Sequence, residues 1–213
     1  IGHRGARGLM PENTVEGFQF TVDLGVTALE FDVWLSKDNV PVITHDSRLS
    51  AALTRDKTGR WLKKDGPHIS ELTLSELKEF DVGGLDNRSQ YGKRYPEQKF
   101  LSAVRIPTLL ELLEFACLPN NKNLYLLLEI KSGPALDAKS AVRRVVDEVR
   151  MKKLESRTVL HSFDWDLLRE CQRLAPEIPC SFLSELPRKD GETLDEYSDY
   201  NTPDFSSFNI SIP

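Results

Sequence analysis

The sequence predicts an α/β fold in which a parallel sheet is covered by helices. Two observations carry that expectation. Strand-like and helix-like patterns alternate along most of the 213 residues, the signature of strand–helix–strand units. The run Leu124–Ile130 is almost wholly apolar, as expected of a strand buried on both faces. The architecture is then either an open doubly wound sheet or a (β/α)8 barrel. No Gly-x-Gly-x-x-Gly follows a strand, so a dinucleotide-binding sheet has no support. A barrel typically runs to ~250 residues and eight strands. Roughly seven strand candidates are present, counting a truncated first. Either the last strand is missing from the chain or the final strands are irregular.

Each element has its own signal. Thr14–Leu24 reads as a helix, with Asn13 and Glu16 spaced as a capping box. Ala28–Ser36 and Val40–His45 read as strands from alternation and β-branched content. Thr108–Ala116 is a helix, with Thr108 and Glu111 in the capping relation. Leu124–Lys131 is a strand, and Ala138–Lys153 a helix with Ala141, Val145 and Val149 on one stripe. Arg157–Phe163, Pro179–Leu183 and Phe205–Ile212 read as strands, and Trp165–Leu174 as a helix. The polar, glycine-dotted segment from about 46 to 105 interrupts this rhythm. Its one helix is Ser75–Phe80, preceded by Thr73 with Glu76. A long insertion after a strand is usually functional, so it is expected to cap one end of a single domain covering 1–213.

Composition narrows the function. Hydrophobic residues make up 39% and charged residues 29%, ordinary for a globular protein. A net charge of -5 argues against nucleic acid as a partner, because phosphate backbones select basic surfaces. Cys117, Cys171 and Cys180 lack the spacing of a disulfide framework or zinc site. No apolar run approaches the ~20 residues of a membrane span, and no leader is visible. The expected location is therefore cytoplasmic. The chain opens abruptly at Ile1-Gly2-His3, so a trimmed leader, and with it a secreted or periplasmic location, stays open. Oligomeric state is not legible.

The chemistry sits at strand ends. Period-two alternation puts Leu29, Phe31, Val33 and Leu35 on one face of their strand and Glu30 and Asp32 on the other. Two inward carboxylates are costly unless a positive group compensates, and a hard divalent cation would do so. The strand Leu124–Lys131 ends in Glu129 and Lys131 on one face, at the end where barrel enzymes place their sites. Glu129 is expected as a third metal ligand and Lys131 as a contact to a phosphate oxygen. A buried Glu–Lys ion pair would explain that strand alone, but not two strands that both carry inward acids. His3 and His45 each end a strand, and histidine suits proton transfer near neutrality. Arg4 offers a fork for phosphate, and Gly5 and Gly8 would let its loop approach a ligand. His161 is expected to be structural, since Ser162 is taken to face inward, and His68 to face solvent.

Together these motifs resemble the glycerophosphodiester phosphodiesterase family. They are His3-Arg4-Gly5, Pro11-Glu12-Asn13-Thr14, Glu30-Phe31-Asp32, His45-Asp46 and Glu129-Ile130-Lys131, in that order, with Arg105-Ile106-Pro107-Thr108-Leu109 before the third helix. The resemblance spans nearly the whole chain, and five motifs in order are specific where each alone is weak. It implies a (β/α)8 TIM barrel with a small inserted cap. The implied activity is hydrolysis of glycerophosphodiesters to an alcohol and glycerol 3-phosphate, which belongs to lipid and glycerol metabolism. It implies one divalent ion, Mg²⁺ or Ca²⁺, on Glu30, Asp32 and Glu129. His3 and His45 become the general acid–base pair, with Arg4 and Lys131 on the phosphate. The insertion after His45 resembles the family's cap, which faces the glycerol end. The sequence lacks the Trp-Thr-Val-Asn-like final strand of the family, and has His161-Ser162-Phe163 where Ser-Ser-Phe is usual. Rival readings are a lysophospholipase D acting on lysophospholipids, favoured by an apolar rim for which Trp34, Trp61 and Phe163 are candidates, and a catalytically silent binding barrel.

Overall fold

The longest strand shows how the fold is built. In the computed structural model, which describes residues 1–133 and 137–184, strand β2 runs Ala28–Leu35. Its odd-numbered residues Leu29, Phe31, Val33 and Leu35 are buried among helices. The preceding elements are strand β1, Gly2–His3, and helix α1, Val15–Asp23. Strand β3 is Pro41–Ile43. Helix α2, Leu74–Leu77, and helix α3, Leu109–Ala116, follow. Then come strand β4, Tyr125–Ile130, helix α4, Ala138–Met151, strand β5, Thr158–Ser162, helix α5, Trp165–Leu174, and strand β6, Cys180–Phe182. The expected strand Phe205–Ile212 lies outside the described residues.

Strands β1, β2, β4, β5 and β6 are hydrogen-bonded in that order, each parallel to its neighbours. The helices between them lie against one face. Phe18 of α1, Leu112 and Leu113 of α3, Val142, Val145 and Val149 of α4, and Leu167 and Leu168 of α5 form one core with the outward side chains of β2, β4 and β5. This is the wall of a (β/α) barrel, with helices outside and the other face of each strand turned to the interior. Fully burying side chains of this size contributes roughly 1.5–3 kcal/mol each.

The segment expected as a further stave departs from that pattern. β3 pairs antiparallel with β2, Val33 facing Ile43 and Leu35 facing Pro41. Val33 also pairs with Ile130 of β4 on its other edge, so β3 occupies the edge that β1 leaves at Glu30. The reason is length. Only residues 36–40 connect the two strands, whereas a parallel crossover needs about a dozen residues or more. The connection closes as a hairpin, with Asn39 in the left-handed region at φ 58°.

The capping boxes at Thr73–Glu76 and Thr108–Glu111 form as expected. The one expected at Asn13 does not. Thr14 caps α1, accepting from the Gly17 amide, and Asn13 is turned away at φ 54°. The 46–105 segment packs over the β2–β3 hairpin through a second core of Trp34, Val42, Leu49, Ile69, Leu77 and Ile106.

Candidate active site

The inward face of β2 carries Glu30 and Asp32, both buried. Neighbouring β4 places Glu129 opposite Asp32, and β5 places His161 opposite Glu129. β1 places His3 opposite Glu30. Strand register thus lines up Asp32, Glu129 and His161 in one row across three strands, with His3 and Glu30 side by side two residues earlier along β2.

Residues 4–13 fold back over this row. Arg4 and Asn13 both adopt left-handed backbone conformations, at φ 53° and 54°. The Asn13 amide donates to the Arg4 carbonyl at 3.0 Å, which ties the loop ends together. The Arg4 amide donates to Glu30 Oε2 at 2.9 Å. The guanidinium donates to Glu12 Oε1 at 2.9 Å, and its Nε stands 3.5 Å from Asp32 Oδ2. Asn13 Nδ2 donates to Asp32 Oδ2 at 2.9 Å. The Tyr91 hydroxyl, from the inserted segment, donates to Glu12 Oε2. Gly5, expected to let the loop approach a ligand, instead lies against α1. At φ 79° a side chain there would be strained, and its Cβ would sit 3.3 Å from the Gly17 carbonyl carbon. A Cβ at Gly8 would make only ordinary contact with Tyr95.

Lys131 ties two carboxylates together. Its Nζ lies 2.9 Å from Asp32 Oδ1 and 2.7 Å from Glu129 Oε1. Burial alone would lower the Lys131 pKa, but Asp32 and Glu129 outweigh it and raise the value. Burial likewise pushes Asp32 up, and Lys131, His45, Arg4 and the Asn13 amide more than reverse this, holding it well below the carboxylate range. Glu30 differs. Burial, then repulsion from Asp32, pushes it up to about 8. Glu129 is also raised, chiefly by burial. Four carboxylates (Glu12, Glu30, Asp32 and Glu129) thus face two cations, Arg4 and Lys131. With all four ionised the cluster is short of two positive charges, which one divalent ion would supply.

The two expected acid–base residues flank this cluster. His3 is half-exposed, its Nε2 3.7 Å from Glu30 Oε2. Burial, with Arg7 and Arg4 nearby, lowers its pKa to about 4. His45 follows β3, and the hairpin brings it back level with the cluster, since the Thr44 amide donates to the Asp32 carbonyl at 3.0 Å. Its Nδ1 is 2.7 Å from Asp46 Oδ1, and its carbonyl accepts from the Trp34 indole at 3.0 Å. A solvent-open cleft lies beside it. It is lined by Glu12, Asn13 and His45 together with Leu49, Leu53 and Val82 of the inserted segment.

The expected direction of His161 is reversed. Leu160 is buried in the helix-side core, so parity turns His161 inward, while the Ser162 hydroxyl donates to the Ile130 carbonyl at 2.7 Å. Among the described residues, Glu30, Glu129 and His161 form a group able to hold a metal ion, with donor atoms all within 4.8 Å of one another. Asp32 stands beside that group, engaged by Lys131 and Asn13. Glu12, Asn13 and Tyr91 were not singled out from sequence as site residues. Glu12 and Asn13 were visible only as motif letters, and no local pattern announces that residue 91 reaches residue 12.

Proteins of similar sequence and fold point to one family. A family model described as the glycerophosphoryl diester phosphodiesterase family matches residues 3–204. A crystal structure from Silicibacter pomeroyi, provisionally described as a glycerophosphoryl diester phosphodiesterase, superposes with a TM-score of 0.88 at 47% identity, covering 99% of this chain and 68% of that one. A phosphodiesterase from Oleispira antarctica, solved in complex with the product sn-glycerol-3-phosphate, superposes with a TM-score of 0.66 at 30% identity, covering 88% of this chain and 66% of that one. A glycerophosphodiester phosphodiesterase of Caldanaerobacter subterraneus is 30% identical over 183 residues, which are 86% of this chain and 65% of that protein. With the family model spanning almost its full length, the chain belongs to the glycerophosphoryl diester phosphodiesterase family.

Proposed function

We propose that the protein hydrolyses glycerophosphodiesters to an alcohol and glycerol 3-phosphate, with a divalent cation in the carboxylate cluster and His3 and His45 as the proton-transfer pair. The observation that carries this reading is the convergence of Glu30, Asp32 and Glu129 with both histidines at one end of the sheet. The product found in the Oleispira relative supports the substrate class.

The donor set fits a cation. Burial raises both Glu30 and Glu129, the mark of carboxylates short of positive charge, and such oxygens are the ligands hard divalent ions take. When bound, the ion supplies charge neutralisation at the nonbridging phosphate oxygens. The remaining work falls to the chain. Asp46 fixes the His45 ring through Nδ1 and would stabilise it when protonated, as carboxylate-backed imidazoles do. One histidine takes a proton from the attacking hydroxyl or water, and the other gives one to the leaving alkoxide. Arg4, held by Glu12 and Asp32, presents its guanidinium to the phosphate. Lys131 holds Asp32 and Glu129 in register. The cleft beside His45, walled by Leu49, Leu53 and Val82, takes an end of the diester.

The test is release of glycerol 3-phosphate from glycerophosphocholine and glycerophosphoethanolamine, with release of choline from lysophosphatidylcholine measured alongside. His3→Ala and His45→Ala should each lower turnover by about 10²–10⁴-fold. Chelator should abolish it and added divalent metal restore it. Near wild-type turnover in either variant would remove the acid–base assignment. Preference for the acylated substrate would move the reading to a lysophospholipase D.

A further inference from the structure

Among the inward acids, Glu30 and Glu129 gather round a histidine. Asp32 already accepts from Lys131 and Asn13 and faces Arg4. Glu30 and Glu129 share a pocket with a histidine nitrogen, and Glu129 also meets Lys131. His161 is only 6% exposed, and its Nε2 has no hydrogen-bond partner. That nitrogen lies 3.8 Å from Glu30 Oε1. Buried imidazole nitrogens are ordinarily satisfied, so an orphan aimed at two carboxylates calls for a third party between them. Donor atoms within 4.8 Å of one another are close to the span one ion bridges at bond lengths of about 2.0–2.3 Å.

We propose that His161 is a direct nitrogen ligand of the divalent ion, added to the carboxylates of the cluster. The proposal rests on the metal-dependent reading above. It adds a prediction about the class of metal. An imidazole ligand favours first-row ions such as Mn²⁺, Co²⁺ or Zn²⁺, whereas an all-oxygen set suits Mg²⁺ and Ca²⁺. The ion best retained by this chain should therefore be a first-row transition metal.

The test uses Mn²⁺ alone as the probe. Bound Mn²⁺ is quantified after gel filtration, and the loaded protein is examined by electron spin echo envelope modulation, which detects a directly coordinated ¹⁴N. The wild type should bind one Mn²⁺ and show imidazole modulation. His3→Ala should retain that modulation, and His161→Ala should lose it with a Mn²⁺ Kd weakened about 10–100-fold, the range seen when a metal shell is perturbed. His161→Gln, which preserves side-chain bulk, guards against a folding artefact and should also lose the signal. Bound Mn²⁺ without nitrogen modulation would overturn the His161 proposal and leave metal dependence standing. Modulation that disappears in His3→Ala and persists in His161→Ala would move the ligand to His3 and overturn it equally. Failure to bind Mn²⁺ or any divalent ion would overturn both.

Discussion

The two faces of strands β2 and β4 have opposite relations to stability. On the outward face Phe31 and Leu128 are fully buried against helices and hold the fold together. One residue away, Glu30, Asp32 and Glu129 are just as buried, and they are there at a cost offset only in part by Lys131, Arg4 and Asn13. A strand of period two can therefore carry stability and chemistry at once, provided the helices cover one side and the charged groups on the other are matched. The two kinds of burial should respond differently when broken.

Phe31→Ala and Asp32→Ala should give the largest and most similar losses of stability, for different reasons. The first opens a cavity worth about 3–5 kcal/mol. The second strands Lys131 without one of its two carboxylates and costs about 3–5 kcal/mol as a broken buried pair. Urea unfolding measures both. Turnover per folded molecule separates them, since Phe31→Ala should keep it and Asp32→Ala should not.

Glu30→Gln should act in the other direction. Its folded pKa of about 8 lies above the ordinary value of 4.5, so protonation favours the folded state. That contribution is complete below about 4.5 and is lost as the pH rises through 8. In chelator, the wild type should lose stability across this window and Glu30→Gln should lose less, the remainder coming from Glu129, which burial also raises. A divalent metal should also remove the slope in the wild type. An equal slope in wild type and variant would show that Glu30 is not the strained acid.

Tyr91→Phe should have the smallest effect. It removes a hydroxyl donor to the Glu12 carboxylate, a change of about 1.5–3 kcal/mol at most for a bond to a charged group. It should raise KM more than it lowers kcat, because Tyr91 and Arg4 share Glu12. An effect on kcat alone would place Tyr91 in the chemical step.

Much of this was legible in sequence where the signal is local. The alternation of Ala28–Leu35 fixes which residues face the helices, and the acids follow by parity. Thr73 and Thr108 were readable as caps because the capping box is completed within three residues. Asn13 has the same local signature, and there tertiary demand wins, since its amide goes to Asp32 nineteen positions away. His161 was misplaced because its strand, Thr-Val-Leu-His-Ser, does not alternate cleanly. Its direction depends on Leu160 meeting the helices, and on Ser162 spending its hydroxyl on a neighbouring strand. The antiparallel β3 was within reach, since five residues cannot cross over. Tyr91 was not, since only the folded cap brings it to Glu12.

The hairpin that carries His45 has a consequence for how the chain tolerates insertions and deletions. β3 is held from its far side too, the Ile43 amide donating to the Pro107 carbonyl at 2.7 Å and Val42 bridging to Thr108. Residues 36–40 can therefore lengthen without displacing the histidine, because its position is referenced to the entry of α3 rather than to the turn. A single residue gained or lost between Ile43 and His45 has no such buffer. It would carry the imidazole to the opposite side of the strand, and homologues of different turn length should vary on one side of that boundary and not the other.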